Sequence, residues 1–190
     1  MLLATGFILY VPQLTEIVGR RPLVKDIHIY TAIAWAAALV LVVVVGDRLG
    51  LRRTLRELNL FDRDDRRWLR GRPAPQGRFN AGQKVNAAVT AAFAVLFAVS
   101  GFLLWYGEGD TRFRLSSTIV LHDVLTYVSV VLVAGHLVLA LVWSSTRHAL
   151  RGMVLGSVGG DWARKHHRKW VEATPVRARG RAAKREGERG

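Results

Sequence analysis

Three stretches of this chain carry no charged residue, and each is long enough to cross a lipid bilayer. They run from Ile29 to Gly46, from Val85 to Gly107 and from Val124 to Thr146, which is 18, 23 and 23 residues. At a rise of about 1.5 Å per residue, such runs match a hydrocarbon core of about 30 Å. A helix on a soluble protein shows a polar face at every turn, and these do not. The chain therefore reads as an all-α integral membrane protein. The composition agrees once its two halves are separated: 51% of residues are hydrophobic, yet the formal net charge is +14, and the two features occupy different segments.

A fourth apolar segment, MLLATGFILYV at 1–11, is only half a span. It lacks the basic lead and small-residue cleavage site of a signal peptide. It reads as the second half of a transmembrane helix whose first half is absent, with a short interfacial helix as the alternative. The expected fold is a four-helix transmembrane bundle with a truncated first helix, its spans at about 1–11, 27–46, 84–107 and 118–145. These belong to one membrane domain, residues 1–173, followed by a disordered basic tail at 174–190 that is rich in charge and poor in apolar residues.

The basic residues predict the orientation. Of 28 Lys and Arg, 23 fall in two segments, Arg48–Lys84 and Arg147–Arg189. The positive-inside rule makes that side, with the C-terminus, cytoplasmic. The connections 12–27 and 108–117 then face outward. Charge of this size also suits nucleic acid, but topology and attraction to anionic lipid account for it more simply, and no nucleic-acid partner is expected. In the cytoplasmic connection 48–83, LRRTLRELNLF has the leucine spacing of an amphipathic surface helix. DRDDRRW and GRPAPQG after it read as turn and loop. No internal repeat stands out. Cysteine is absent, which excludes disulfides, iron–sulfur clusters bound by this chain and covalent c-type haem.

The histidines carry the chemistry. His28 and His122 open two spans, and His136 lies deep in the last. An ionisable side chain at membrane depth is costly without a partner and marks function by default. Neutral imidazole is the usual axial ligand of haem iron, and a bis-His site takes one histidine from each of two facing helices. His28 and His122 sit at the same outer level on antiparallel helices. His136 follows His122 by 14 residues, which is about 21 Å along the helix and about 40° short of four full turns. Two histidines thus share one helix face at two depths, as one haem near each membrane surface requires. A proton relay for a small-solute transporter, a buried polar network or a plain membrane anchor stays open on this reading. Ser100, Gly101 and Gly135 allow close approach of helices or of a flat macrocycle. His148, His166 and His167 lie beyond the spans; DWARKHHRKW reads as a basic amphipathic surface helix with Trp162 and Trp170 at the interface.

GRFNAGQKVN at 77–86, the His122–His136 step and GSVGGDWARKHHRKW at 156–170 together resemble the cytochrome b (gamma) subunit of membrane-bound formate dehydrogenases, within the bacterial cytochrome b561 and hydrogenase b-type cytochrome group. The resemblance implies that His28 and His122 ligate a haem b near the outer face and His136 one ligand of a second haem near the cytoplasmic face. The second ligand of that inner haem would lie upstream of LLATGF, outside this chain, so the expected content is one haem b or two, a single-haem protein being the alternative. It implies a menaquinone or ubiquinone site bordered by Asn80, Gly82, Gln83 and Lys84. From the residues themselves, Asn80 and Gln83 also have the spacing of a helix capping box. The partners implied are an iron–sulfur subunit and a catalytic dehydrogenase subunit, which carries out substrate oxidation. The expected function is electron transfer from that iron–sulfur partner, through haem, to quinone.

Overall fold

A computed structural model describes residues 1–113, 115–142, Gly152, Leu155 and 157–173. The tail 174–190 and His148 lie outside the described residues. Among the described residues every regular element is helical. The chain divides into two compact units. The first comprises Met1–Thr54 and Val89–Val142; the second comprises Leu55–Ala88 and the described part of Trp143–Gly190.

Three helices are long and apolar enough to span a membrane: α3 (Arg21–Val45), α6 (Ala81–Tyr106) and α7 (Ser116–Leu137), which continues in π-helical geometry to Val142. The apolar stretch at the start forms α1 (Leu2–Tyr10), nine residues that pack on α3 and α7. Three of the four expected spans thus correspond to helices of spanning length, and the one expected at 27–46 starts six residues early, at Arg21. Charged residues at 21, 25 and 26 did not stop the helix, because Pro22 suits a first turn, where its missing N–H is not needed. Much of the expected outward connection 12–27 is helical as well: α2 covers Pro12–Val18 and ends on Gly19, whose φ of 63° is the left-handed conformation that closes helices.

The first unit is built inside out relative to a soluble protein. Large aliphatic residues cover its outside; Val131 is 70% exposed. Its buried positions are mainly small and polar: Thr5, Ser100, Thr118 and Ser129, beside Val24 and Leu125. In lipid, helices gain nothing by hiding leucine from leucine-like tails; small residues that allow close approach, and polar groups that pair, make the contacts. Tyr10 of α1 and Tyr127 of α7 meet edge to face at 5.0 Å.

In the cytoplasm-predicted connection, α4 (Arg48–Asn59) forms over the leucine-spaced segment. Asp47 caps it, accepting from the Leu49 and Gly50 amides at 3.0 Å each. DRDDRRW, expected as a turn, is helix α5 (Arg63–Leu69). The reason is local: Asp62 accepts from the Asp65 amide while Asp65 accepts from the Asp62 amide, both at 2.9 Å, a reciprocal cap written with two aspartates. GRPAPQG stays non-helical. The basic segment near the C-terminus is two short helices, α8 (Gly160–His166) and α9 (Arg168–Ala173), broken at His167.

Candidate functional site

In the first unit, His28 of α3 and His122 of α7 face one another, their ring centres 6.4 Å apart and their planes at 76°. Each ring is held in the same way. Thr5 Oγ1 of α1 lies 2.9 Å from His28 Nδ1, and Ser100 Oγ of α6 lies 2.9 Å from His122 Nδ1. Both hydroxyls donate to their own helix: Ser100 to the Leu96 carbonyl at 2.7 Å, Thr5 to the carbonyls of Met1 and Leu2 at 3.1 and 3.2 Å. A hydroxyl has one proton to give. With it spent on the backbone, the oxygen faces the imidazole as an acceptor, so Nδ1 carries the hydrogen and Nε2 the lone pair. Nε2 is then the nitrogen able to bind a metal.

The residue after each hydroxyl is glycine. A Cβ built on Gly6 would sit 3.4 Å from His28 Cε1, and one built on Gly101 would sit 3.4 Å from His122 Cε1. The two half-sites therefore repeat in sequence as well as in space: Thr5-Gly6-Phe7-Ile8-Leu9 against Ser100-Gly101-Phe102-Leu103-Leu104. Sequence reasoning counted Ser100 only as a small residue and missed Thr5 altogether. The short likeness of TGFIL to SGFLL was the available signal. Phe97 packs edge to face on His122 at 5.2 Å. Close to this level, Lys25 of α3 pairs with Glu108, just past α6, at 3.0 Å; both are half exposed, so the pair orients more than it stabilises.

His136 is exposed on α7, 14 residues beyond His122, and the structure does not bring it to the other two. The remaining expected residues lie in the second unit. Asn80 and Gln83 form the capping box of α6: the Gln83 amide donates to Asn80 Oδ1 at 2.8 Å, and the Asn80 amide to Gln83 Oε1 at 2.9 Å. Those bonds use the side-chain oxygens and leave the amide NH2 groups outside the cap. Lys84 donates to Asp65 at 2.7 Å and to the Leu60 carbonyl at 2.8 Å. Gly82 lies against the Trp68 indole; a Cβ there would come within 3.0 Å of it. The two sequence motifs near 80 and 165 interlock here. His167 Nδ1 donates to the Gly77 carbonyl at 2.7 Å, and the Lys169 amide to the Gln76 carbonyl at 3.1 Å. His167 is accordingly buried rather than on an open surface helix, and Trp162 covers its ring at 5.2 Å. Lys169 also bridges Asp62 and Asp64 at 2.7 and 2.6 Å. The Lys169 hydrogen bond is the main reason that the Asp62 carboxyl is pulled down to about 2.

Residues 1–156 match the family described as prokaryotic cytochrome b561. The chain belongs to that family. Membership makes it a membrane electron-transport cytochrome and implies a b-type haem. This cytochrome b561 chain is similar to several named proteins. A formate dehydrogenase cytochrome b556 subunit from Haemophilus influenzae is 27% identical over 187 residues, covering 90% of this chain and 73% of that protein. The cytochrome b556(fdo) subunit of formate dehydrogenase from Escherichia coli is 30% identical over 123 residues, covering 59% of this chain and 57% of the relative. The nitrate-inducible b556(Fdn) subunit from Escherichia coli is 25% identical over 99 residues, 51% of this chain and 45% of its own length. The chain thus spans about half the length of the two Escherichia coli relatives it matches.

The residues fit the implied haem. His28 and His122 stand 6.4 Å apart between ring centres, each with Nδ1 engaged by a buried hydroxyl, and these two imidazoles would hold the haem iron and supply its protein ligands. Among the described residues no cluster of three or more His, Cys, Asp or Glu exists to hold a bare ion. Two ligands suffice for haem, because the macrocycle brings the other four.

Proposed function

We propose that this cytochrome b561 protein is the haem subunit of a formate dehydrogenase-like complex, a four-helix membrane bundle that carries electrons from an iron–sulfur partner on the outer face to quinone near the cytoplasmic face. The observation that carries the reading is the His28–His122 pair: two imidazoles 6.4 Å apart, each with Nδ1 engaged by a buried hydroxyl. The relatives named as formate dehydrogenase cytochrome b556 subunits support the choice of complex.

His28 and His122 would hold a haem b, and His136 would supply one ligand to a second, separate haem. The bound haem supplies one-electron carriage at membrane depth. The chain's own work is ligation, burial and orientation. Thr5 and Ser100 keep the imidazoles in one tautomer, and the lipid-facing aliphatic shell excludes water. Quinone would border Asn80, Gly82, Gln83 and Lys84. There the NH2 groups of Asn80 and Gln83, and the third N–H of the Lys84 ammonium, remain to meet a quinone carbonyl. The catalytic dehydrogenase subunit oxidises substrate elsewhere. The reading sets the chain in the bacterial inner membrane, in keeping with the family, and the distribution of Lys and Arg supports a cytoplasmic C-terminus.

The test is a reduced-minus-oxidised visible spectrum of the purified protein, with haem counted per chain, for wild type, His28→Ala and His122→Ala. The expected result is a b-type spectrum with one haem fewer in each variant. Folded wild-type protein without haem, made with ample haem supply, would overturn the reading and favour a plain anchor or a histidine relay. Formate-driven reduction of that haem in native membranes, lost on deletion of this chain, identifies the complex; reduction by hydrogen alone moves it to a hydrogenase.

A further inference from the structure

The two half-sites are alike in a way that haem ligation alone does not demand. Each supplies a β-hydroxyl residue followed by glycine, on the helix beside the one that bears the histidine. Each hydroxyl stands 2.9 Å from Nδ1. Each donates its proton backwards to a carbonyl of its own helix, which leaves it an acceptor for the imidazole. Ser100 is 1% exposed and Thr5 is buried, so neither has water as an alternative partner. Each following glycine leaves room at His Cε1 that a larger side chain would take.

Resting on the haem reading above, we propose that Thr5 and Ser100 are paired positioning residues that set the tautomer and basicity of His28 and His122, and through them the reduction potential of the haem between them. A metal-bound imidazole that donates its second N–H becomes a stronger base, and outer partners of this kind are worth about 10–100-fold in affinity. A stronger base favours the more highly charged ferric state. Loss of either acceptor therefore raises the midpoint potential. If each hydroxyl favours the ferric form about tenfold, its removal shifts a one-electron couple upward by about 59 mV. The equal distances predict shifts of the same sign and similar size from the two sides. Thr5→Val keeps shape and removes the oxygen; Ser100→Ala does the same for the smaller residue. Thr5→Ser and Ser100→Thr keep the oxygen.

The experiment is a potentiometric titration of the visible spectrum in the complete protein, following the haem that His28→Ala abolishes, with haem content measured in every sample. The proposal expects Thr5→Val and Ser100→Ala each to raise that midpoint, the double variant to raise it further, and the two conservative variants to stay near wild type. Wild-type midpoints at full haem content in Thr5→Val and Ser100→Ala would overturn it. If Thr5→Val loses haem outright, restoration in Thr5→Ser supports the hydroxyl, and equal loss in Thr5→Ser refutes it. Failure of the haem reading itself looks different: wild-type protein then has no haem, or His28→Ala retains all of it.

Discussion

Replacing Lys84 by methionine separates a structural role from a functional one. Lys84 and Asp65 form a buried ion pair at 2.7 Å, their side chains only 11% and 4% exposed. Lys84 also reaches the Leu60 carbonyl, and its ammonium lies 5.5 Å from the centre of the Phe61 ring. The same Asp65 oxygen accepts from the Asp62 amide in the α5 cap. Lys84→Met leaves a carboxylate in an almost dry site without its counter-charge. Breaking one side of a buried pair costs about 3–5 kcal/mol; the surviving Asp62 amide bond and the 11% exposure argue for the low end, about 3 kcal/mol. For a chain of this size, that lowers the melting temperature by roughly 6–12 °C. Asp65→Asn, which keeps an acceptor but strands the ammonium, falls in the same range. The double variant Lys84→Met/Asp65→Asn leaves no unpaired charge and recovers much of the loss. The assay is thermal unfolding in one detergent, followed by circular dichroism, read as a double-mutant cycle. Equal melting of wild type and Lys84→Met would refute the argument. Quinone reduction in the double variant then tells whether Lys84 also touches quinone: activity that stays low after stability returns means that it does.

Asp62 shows the same logic through pH. Its carboxyl is pulled to about 2, chiefly by the Lys169 hydrogen bond, from an ordinary value of 3.8. A depressed carboxyl gives stability that is complete above the ordinary value and lost as pH falls through about 2. Half of the side chain is exposed, so the effect is under about 1 kcal/mol; Lys169→Met should return the NMR-detected Asp62 titration towards the ordinary range. Asn80→Ala removes the α6 cap and costs about 1 kcal/mol, whereas Asn80→Asp retains it; chemical denaturation of the two variants distinguishes them. Gly82→Ala drives a Cβ to 3.0 Å from Trp68, and such overpacking costs about 1–3 kcal/mol, read as a lower melting temperature with altered Trp fluorescence.

The three spans were legible because lipid imposes one strong pattern, an apolar run of fixed length. Their starts were less so, since Arg21, Lys25 and Asp26 sit in the first turns of α3, where solvent reaches them. α5 hid because its sequence has no apolar period; a reciprocal cap between Asp62 and Asp65 makes the helix instead. His28 and His122 were visible as rare polar groups in apolar surroundings, and the structure brings their rings within 6.4 Å, edge to face. Thr5 was invisible to composition, since one hydroxyl in an apolar stretch hydrogen-bonds its own helix at no penalty. What singles it out is its long-range partner, 23 residues away. The amides of Asn80 and Gln83 were read both as a cap and as ligand donors, and the structure shows the cap. Sidedness leaves no mark on side-chain packing and rests on the basic residues alone.

The seat between the two imidazoles joins α1 and α3 to α7. His122 follows His28 by 94 residues, so at about 5–20 residues per second it is synthesised roughly 5–19 s later. Until α7 has entered the bilayer, His28 and Thr5 face lipid or water with nothing opposite. On the proposed haem reading, this seat loads only after α7 is in place, so loading reports on insertion of α1, α3 and α7 together. A nascent chain halted before α7 should leave the ribosome colourless.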